Sequence, residues 1–180
     1  MKKLFVVFLV ITMTFCIAGC KKPIPESPPK AWITTPDGKH ELVQGGCNWT
    51  HKVFGKEYVN VIADQSTRPI AQHFLESVTI DRQHMESILA PVPGTDSYEA
   101  INSLGCLLKL DFEVPPTSVT YTCWPDTVWQ DSSTPEREVI PYKDFSFWAN
   151  LGGYVYEIVA EWDEGSYYGT ANYYVHVIAG

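Results

Sequence analysis

The sequence predicts an all-β antiparallel sandwich, because short segments of alternating apolar and polar residues recur between turn signals. Alternation with a period of two gives a strand that buries one face and leaves the other in water. The second half of the chain contains four such segments. Their inward-facing residues are expected to be Leu108, Leu110 and Phe112, then Val119, Tyr121 and Cys123, then Tyr154, Tyr156, Ile158, Ala160 and Trp162, and finally Ala171, Tyr173, Val175 and Val177.

The first half of the folded chain gives weaker signals. The fold is expected to begin at residue 31, and β-branched and aromatic residues favour strands over residues 40–44 and 57–63. A pair of glycines at 45–46 is predicted to close the first of these strands. Residues 64–83 have no regular pattern apart from a short apolar segment at 78–80, so the topology of this stretch is left open.

Length and charge define the class of protein. A chain of 180 residues with 19% charged side chains has the composition of one globular domain. Its formal net charge is −8, and it is −10 without residues 1–19, which contain two lysines and no acidic residue. A negative surface repels phosphate backbones and anionic headgroups. The charge therefore argues against nucleic acid as a partner, and against adhesion to anionic lipid other than through an anchor.

The amino terminus has the composition of an export signal, since a cationic start precedes an apolar run over residues 4–11 that is shorter than the ~20 residues of a membrane span. Ile17-Ala18-Gly19-Cys20 resembles the lipobox of bacterial lipoproteins. The resemblance implies cleavage before Cys20 and diacylglycerol on its thiol, so residues 1–19 would be a signal peptide. It places the mature chain at the extracellular face of the bacterial cell membrane. The alternative is an ordinary secretory signal with a chance cysteine.

Residues 20–30 are predicted to be a tether. Four prolines among eleven residues prevent a helix or a central strand and favour polyproline II. At ~3.1 Å per residue, a fully extended segment would lift the following domain roughly 30 Å above the bilayer. The expected organisation is a signal peptide over residues 1–19, a proline-rich tether over 20–30 and a single β-sandwich domain over 31–180.

One short pattern refines the predicted sandwich. Asn150-x-Gly152-x-Tyr154-x-Tyr156 resembles the corner of immunoglobulin-type domains, whose pattern is acid-x-Gly-x-Tyr-x-Cys. The resemblance implies an immunoglobulin-like fold with Tyr154 as the corner tyrosine. Because Tyr156 stands where the pattern has cysteine, it also implies that the usual inter-sheet disulfide is absent.

A longer resemblance covers the carboxyl-terminal part of the chain. Residues 114–119, the Cys123-Trp124 pair and residues 153–174, together with Gly45-Gly46-Cys47-Asn48-Trp49 earlier, are similar to a family of small lipoproteins and exported domains of clostridia-like Gram-positive bacteria. The similarity implies an exported β-sandwich. It carries over no catalytic residues.

Three cysteines follow Cys20. An odd number in an exported chain leaves one thiol free or paired between molecules. Cys47 and Cys123 each lie next to a tryptophan at an expected strand end, and we expect these two to form a disulfide. The two other pairings, and three reduced and buried thiols, are the alternatives.

Tryptophans are the candidate ligand-binding residues. Trp124 and Trp129 flank the loop after the second clear strand, and Trp49 would join them through the expected disulfide. Aromatic rings stack on sugars and anchor protein partners. The alternative is that these rings fill the sandwich core, as expected for Trp162.

The sequence contains no nucleophile-elbow, metalloprotease or phosphate-loop motif. Its five histidines lack metal-ligand spacing, and His176, on an alternating strand, is expected to be a surface residue. We therefore expect no catalytic residue, no metal and no cofactor. The acidic residues that could form a carboxylate pair for glycoside hydrolysis, and that we interpret as solvated turns, are Asp126 with Asp131 and Glu161 with Asp163 and Glu164.

These observations predict a lipid-anchored, non-enzymatic binding or interaction module on the cell surface. Its expected partners are membrane lipid, through acylated Cys20, and an envelope protein or glycan. Two alternatives stay open at this point. One is a carbohydrate or cell-wall module that uses surface tryptophans, and the other is a surface hydrolase with paired carboxylates in a cleft.

Overall fold

The computed structural model describes residues 23–63, 77–128, 138–141 and 143–180. These ranges contain twelve β-strands and two short 3₁₀-helices, Arg82–His84 and Asp126–Val128. The strands are β1 Ala31–Thr35, β2 Gly38–Glu41, β3 Val43–Val53, β4 Lys56–Ile62, β5 Ser77–Ile80, β6 Glu86–Pro91, β7 Tyr98–Phe112, β8 Ser118–Pro125, β9 Glu138–Val139, β10 Ser146–Asn150, β11 Gly152–Asp163 and β12 Tyr167–Ala179.

The strands form two sheets packed face to face, which confirms the predicted all-β sandwich. The smaller sheet has the order β10-β7-β1-β2, and β6 also pairs with β7. The larger sheet has the order β4-β3-β12-β11-β8-β9, and β5 also pairs with β12. Among the described strands, the β5–β12 pairing is parallel and the others are antiparallel.

The core lies between the sheets and is rich in aromatic rings. The alternation of β11 and β12 places Tyr156, Trp162 and Tyr173 inside, where all three are buried. The Trp162 ring meets that of Trp49 edge to face, with centroids 5.4 Å apart, and the Tyr156 ring lies 5.2 Å from that of Phe147 on the opposite sheet. Offset and edge-to-face contacts of this kind add to the area that such large side chains bury.

Two local predictions are corrected by the strand pairing. The glycines at 45–46 do not close a strand but lie within β3, whose backbone is hydrogen-bonded on both sides by β4 and β12. The tyrosine that contacts the backbone of this bend is Tyr156 rather than Tyr154, because the Tyr156 hydroxyl accepts a hydrogen bond from the Asn150 backbone N–H at 3.0 Å. Tyr156 points into the core, so it can reach back under the bend that joins β10 to β11.

One end of the sandwich receives the amino-terminal segment, and we call it the tether end. β1 starts there with Ala31 paired to Phe112. In the larger sheet, β3 ends and β12 begins at the same end, with His51 paired to Tyr167. The Trp162 indole N–H joins the two sheets at this level by donating to the Val114 carbonyl at 3.0 Å. The β3–β4 and β11–β12 turns therefore lie at the end where the chain enters the fold.

Candidate functional site

The second half of the predicted tether is docked on the domain. The Trp49 indole N–H donates to the Pro25 carbonyl at 3.1 Å, and the Tyr173 hydroxyl donates to the carbonyl of Pro29. Pro28 and Pro29 are buried. The folded unit thus begins several residues before position 31. An extended spacer over all of residues 20–30 is incompatible with these contacts, and the roughly 30 Å lift expected from it is wrong.

Two of the predicted site residues, Cys20 and Trp129, lie outside the described residues. Lipidation at Cys20 therefore stays a prediction. Within the described ranges, no helix is long and apolar enough to cross a membrane.

The expected disulfide between Cys47 and Cys123 does not form, and Cys47, Cys106 and Cys123 are all free thiols. Cys47 is on β3 and Cys123 is on β8, with β12 and β11 between these strands. Three strand spacings of ~4.8 Å separate the two residues by at least about 14 Å across the sheet, and Cys123 is a further four residues along β8 from the position level with Cys47, whereas a disulfide needs Cα atoms within ~7 Å. The neighbouring tryptophans did not indicate how many strands lie between the two cysteines.

The predicted tryptophan platform is also corrected. Trp49 is fully buried, with its ring stacked on Tyr167 at a centroid distance of 5.6 Å and edge to face with Trp162. Trp124 is half-buried and alternates with the inward-facing Cys123, so it lies on the outer face of the larger sheet. The two indoles occupy opposite faces of one sheet and cannot stack on the same sugar.

A cleft of about 370 Å³ opens between the sheets at their margins. It forms where, among the described strands, β6 pairs with β7 alone and the two-residue strand β9 pairs with β8 alone, so neither sheet covers the other completely. Most of its lining residues have apolar side chains, but polar atoms make up slightly more than half of its exposed lining surface. The main contributors are Ile88 and Leu89 of β6, Tyr121 and Cys123 of β8, Val139 of β9 and Phe147 and Trp148 of β10. The sequence alternation predicted Tyr121 and Cys123 to face inward, but no local pattern indicated that a cavity would be left beside them.

Among the described residues, one carboxylate lines this cleft. Glu138 lines it and accepts a hydrogen bond from the Tyr121 hydroxyl at 2.8 Å. Burial, followed by the neighbouring Glu138, raises the pKa of Tyr121, which therefore stays a neutral donor. A carboxylate offers about four acceptor positions, and the tyrosine occupies one of them. Glu138 can thus accept further hydrogen bonds from a group bound in the cleft.

The thiol in the cleft is poorly suited to nucleophilic chemistry. Burial raises the pKa of Cys123 to about 11, with a smaller contribution from the charge of Glu138. The thiolate is the reactive form of cysteine, and at neutral pH only about one molecule in ten thousand would carry it. The arrangement favours binding over covalent catalysis at this position.

A second polar group lies on the outer face of the larger sheet, where His176 is buried rather than exposed as predicted. Its Nδ1 is 2.9 Å from the Ser77 hydroxyl, and its Nε2 is 3.4 Å from Asp126 Oδ2. Gly153 makes room for the carboxylate, because a Cβ built there would lie 1.9 Å from Asp126 Oδ2.

This Ser–His–Asp chain is best explained as a structural brace. Ser77 is the direct ladder partner of His176 in the parallel β5–β12 pair, and the hydrogen bonds tie that pair to the 3₁₀-helix that carries Asp126. In serine hydrolases the nucleophile contacts Nε2 and the aspartate contacts Nδ1, which is the reverse of the order found here. No group of three or more potential metal ligands occurs in the described parts of the chain.

Comparison with protein-family models, with curated proteins and with solved structures gives no match. The class of protein is therefore defined by fold and site alone. It is an all-β sandwich with a docked amino-terminal segment and an inter-sheet cleft, in which Glu138 is the carboxylate among the described lining residues.

Proposed function

We propose that this chain is a lipid-anchored, non-enzymatic binding module at the extracellular face of the cell membrane, and that the inter-sheet cleft is its ligand site. The ligand class that fits the cleft is an apolar group bearing an ammonium or another hydrogen-bond donor. The observation that carries the proposal is the position of Glu138, the one carboxylate among the described lining residues, in a cavity whose lining residues are mostly apolar in type.

Size and lining support the binding part of the proposal. Small-molecule sites are concave, have volumes of about 300–1,000 Å³ and combine apolar walls with a few polar groups that fix orientation. The cleft, at about 370 Å³, matches the lower part of that range. The Tyr121 hydroxyl orients the Glu138 carboxylate, so that the polar group is held in place before a ligand arrives.

Charge supports the choice of a cation. The chain has a formal net charge of −8, which attracts cations to the domain as a whole. Glu138 is exposed to solvent, so the attraction that it adds for a bound ammonium group is modest, about 1 kcal/mol at a separation of about 4 Å in water. A carboxylate ligand of the same shape would meet like charge in the same place.

The anchor part of the proposal rests on the sequence, namely the export signal and the lipobox-like segment that ends at Cys20. Intact mass of membrane-extracted protein tests it directly. A chain that begins at a diacylglycerol-modified Cys20 supports the anchor, and a chain that keeps an unmodified Cys20 thiol would exclude it.

The cleft is tested with a matched pair of fluorescent probes on the full chain. Dansylcadaverine carries an ammonium group, and the dansyl derivative of 6-aminohexanoic acid carries a carboxylate on a linker of similar length. We expect dansylcadaverine to bind more tightly, with a blue-shifted emission typical of an apolar environment. The two probes should bind equally if Glu138 plays no part.

Three variants separate the contribution of the Glu138 charge from that of the space in the cleft. Glu138→Gln should remove the preference for dansylcadaverine while the dansyl ring still binds. Ala90→Trp, which adds bulk to the cleft lining, should weaken both probes. Glu164→Gln removes the same charge from the β11–β12 turn and should change neither affinity. If Ala90→Trp leaves both affinities unchanged, the probes bind elsewhere and the cleft is not the site.

A further inference from the structure

The β3–β4 turn presents an aromatic side chain to solvent in an unfavourable backbone conformation. Phe54 is fully exposed and has φ of 50°, and Gly55 follows with φ of 77°. Positive φ at both central residues is the pattern of a tight type I′ hairpin, where Asn-Gly is strongly preferred. A bulky apolar residue at such a position is uncommon. Neither burial nor turn geometry accounts for phenylalanine here, which points to a contact outside the domain.

The turn projects from the tether end of the sandwich. The last contact between β3 and the neighbouring β11–β12 turn is the hydrogen bond from the Lys52 N–H to the Ser166 carbonyl at 2.8 Å. Phe54 lies two residues beyond this contact, so the adjacent turn does not pack against the tip of the hairpin. It is therefore among the outermost groups at this end of the domain.

The docked segment around Pro25 lies at the same end of the domain. The Pro25 carbonyl is held by Trp49, which is five residues from Phe54 along β3. Five residues of strand extend about 17 Å. Cys20 is likewise five residues from Pro25, and a chain of that length spans at most about 17 Å. A chain of that length is long enough for residue 20 to come level with Phe54 when it runs toward the same end.

We infer that the β3–β4 turn is a membrane-contacting tip, in which Phe54 enters the interfacial region of the same bilayer that holds Cys20. The inference rests on the lipid anchor of the proposed function and adds a second, non-covalent attachment to it. The diacylglycerol expected on Cys20 already provides two acyl chains, which attach a protein stably, so a further signal would fix the orientation of the domain rather than supply its affinity. An aromatic side chain at the lipid–water boundary is one such signal.

The charges around the turn fit a lipid surface locally, although the domain as a whole is acidic. Lys52 and Lys56 flank the turn, and long lysine side chains can bury their stems while the ammonium groups stay among headgroups. Glu57 pairs with Lys52 at 3.3 Å, and Asp163 and Glu164 lie at the same end. The turn is thus close to neutral, and apolar burial of Phe54 provides the attraction.

Hydroxyl-radical footprinting of the full lipidated protein tests the inference. The protein is compared in detergent and in vesicles of phosphatidylcholine and phosphatidylglycerol, and oxidation of individual side chains is measured by mass spectrometry. We expect oxidation of Phe54 to fall several-fold in vesicles. Leu151, which is exposed in the β10–β11 bend at the opposite end, serves as the internal control and should not change.

A variant separates the aromatic contact from mere proximity to the bilayer. Phe54→Asn keeps the preferred turn chemistry and removes the apolar group. In vesicles this variant should lose the protection of the adjacent Val53 and Lys56 that the parent protein shows. Equal protection in both proteins would mean that the anchor alone brings the turn near the membrane, and would overturn the role given to Phe54.

The remaining outcomes distinguish this inference from the proposed function. If Cys20 carries lipid and Phe54 is oxidised equally in vesicles and in detergent, the anchor stands and the membrane-contacting tip is refuted. If intact mass shows no lipid on Cys20, the lipid anchor and the membrane-contacting tip are both refuted, because Phe54 is near the bilayer only when residue 20 is held there.

Discussion

The buried tyrosines should make this domain sensitive to alkali. Tyr156 and Tyr173 are at most 1% exposed, and burial raises the pKa of each above its ordinary value of 10.0. Below pH 10 both phenols are neutral in the folded and the unfolded chain, so their contribution to stability is fully present. Above pH 10 the unfolded chain loses these protons and the folded chain keeps them, so the free energy of unfolding falls as pH rises.

The size of the effect follows from the number of groups. Each retained proton lowers the free energy of unfolding by about 1.4 kcal/mol per pH unit, which gives about 2.7 kcal/mol per unit for two tyrosines. Between pH 10 and 12 the loss amounts to about 5 kcal/mol, which is comparable with the lower end of the 5–15 kcal/mol typical of a whole domain. We therefore expect cooperative unfolding at about pH 12.

Circular dichroism and near-ultraviolet phenolate absorbance, recorded together during an alkaline titration, check this prediction. The phenolate absorbance of Tyr156 and Tyr173 should appear only as the β-sheet signal is lost. Tyr156→Phe and Tyr173→Phe should each reduce the dependence of stability on pH above pH 10 by about a third, because Tyr121, whose pKa burial also raises, contributes as well. Ionisation of all ten tyrosines near pH 10 with an unchanged circular dichroism spectrum would refute this prediction.

Three further predictions concern stability at the tether end, and urea unfolding at neutral pH checks each. Phe54→Asn should stabilise the domain by about 1 kcal/mol, because Asn tolerates a left-handed conformation better than Phe; a loss of stability would contradict the assigned turn. Gly169→Ala should destabilise by about 1–3 kcal/mol, since φ is 142° and the new Cβ would lie 2.0 Å from the Asn48 carbonyl oxygen; an unchanged midpoint would speak against this close approach. Trp49→Phe should cost about 2 kcal/mol, because it removes the hydrogen bond to Pro25 as well as buried ring area, and a cost near zero would mean that the segment is not docked.

The sequence predicted the parts of the fold that depend on local periodicity. Alternation in β7, β8, β11 and β12 identified the inward faces correctly, because a strand with one buried face requires apolar residues at every second position. The burial of Trp162 followed from the same pattern.

Features that depend on which strands become neighbours could not be predicted. Cys47 and Cys123 have similar local surroundings, yet two strands separate them. His176 occupies a position that faces away from the core, and it is buried because Ser77, 99 residues distant, pairs beside it in the sheet. The local sequence gives no information about which distant strands pair.

The candidate site was missed for a related reason. Tyr121 was predicted to face inward, but the cleft beside it arises from the incomplete overlap of β6 and β9 with the facing sheet. The docked tether was missed because proline-rich composition predicts a local backbone preference and says nothing about what that backbone packs against.

Docking of the amino-terminal segment restricts how far the domain can rotate relative to its attachment point. A free spacer of eleven residues would let the domain tumble above its attachment point and present any side to the surroundings. With Pro25 and Pro29 held by Trp49 and Tyr173, rotation of an anchored chain is confined to the few residues before Pro25. Every copy on a surface would stand on its tether end, with the bend at Leu151 pointing outward and the inter-sheet cleft opening sideways. A ligand would then approach the cleft parallel to the surface rather than perpendicular to it.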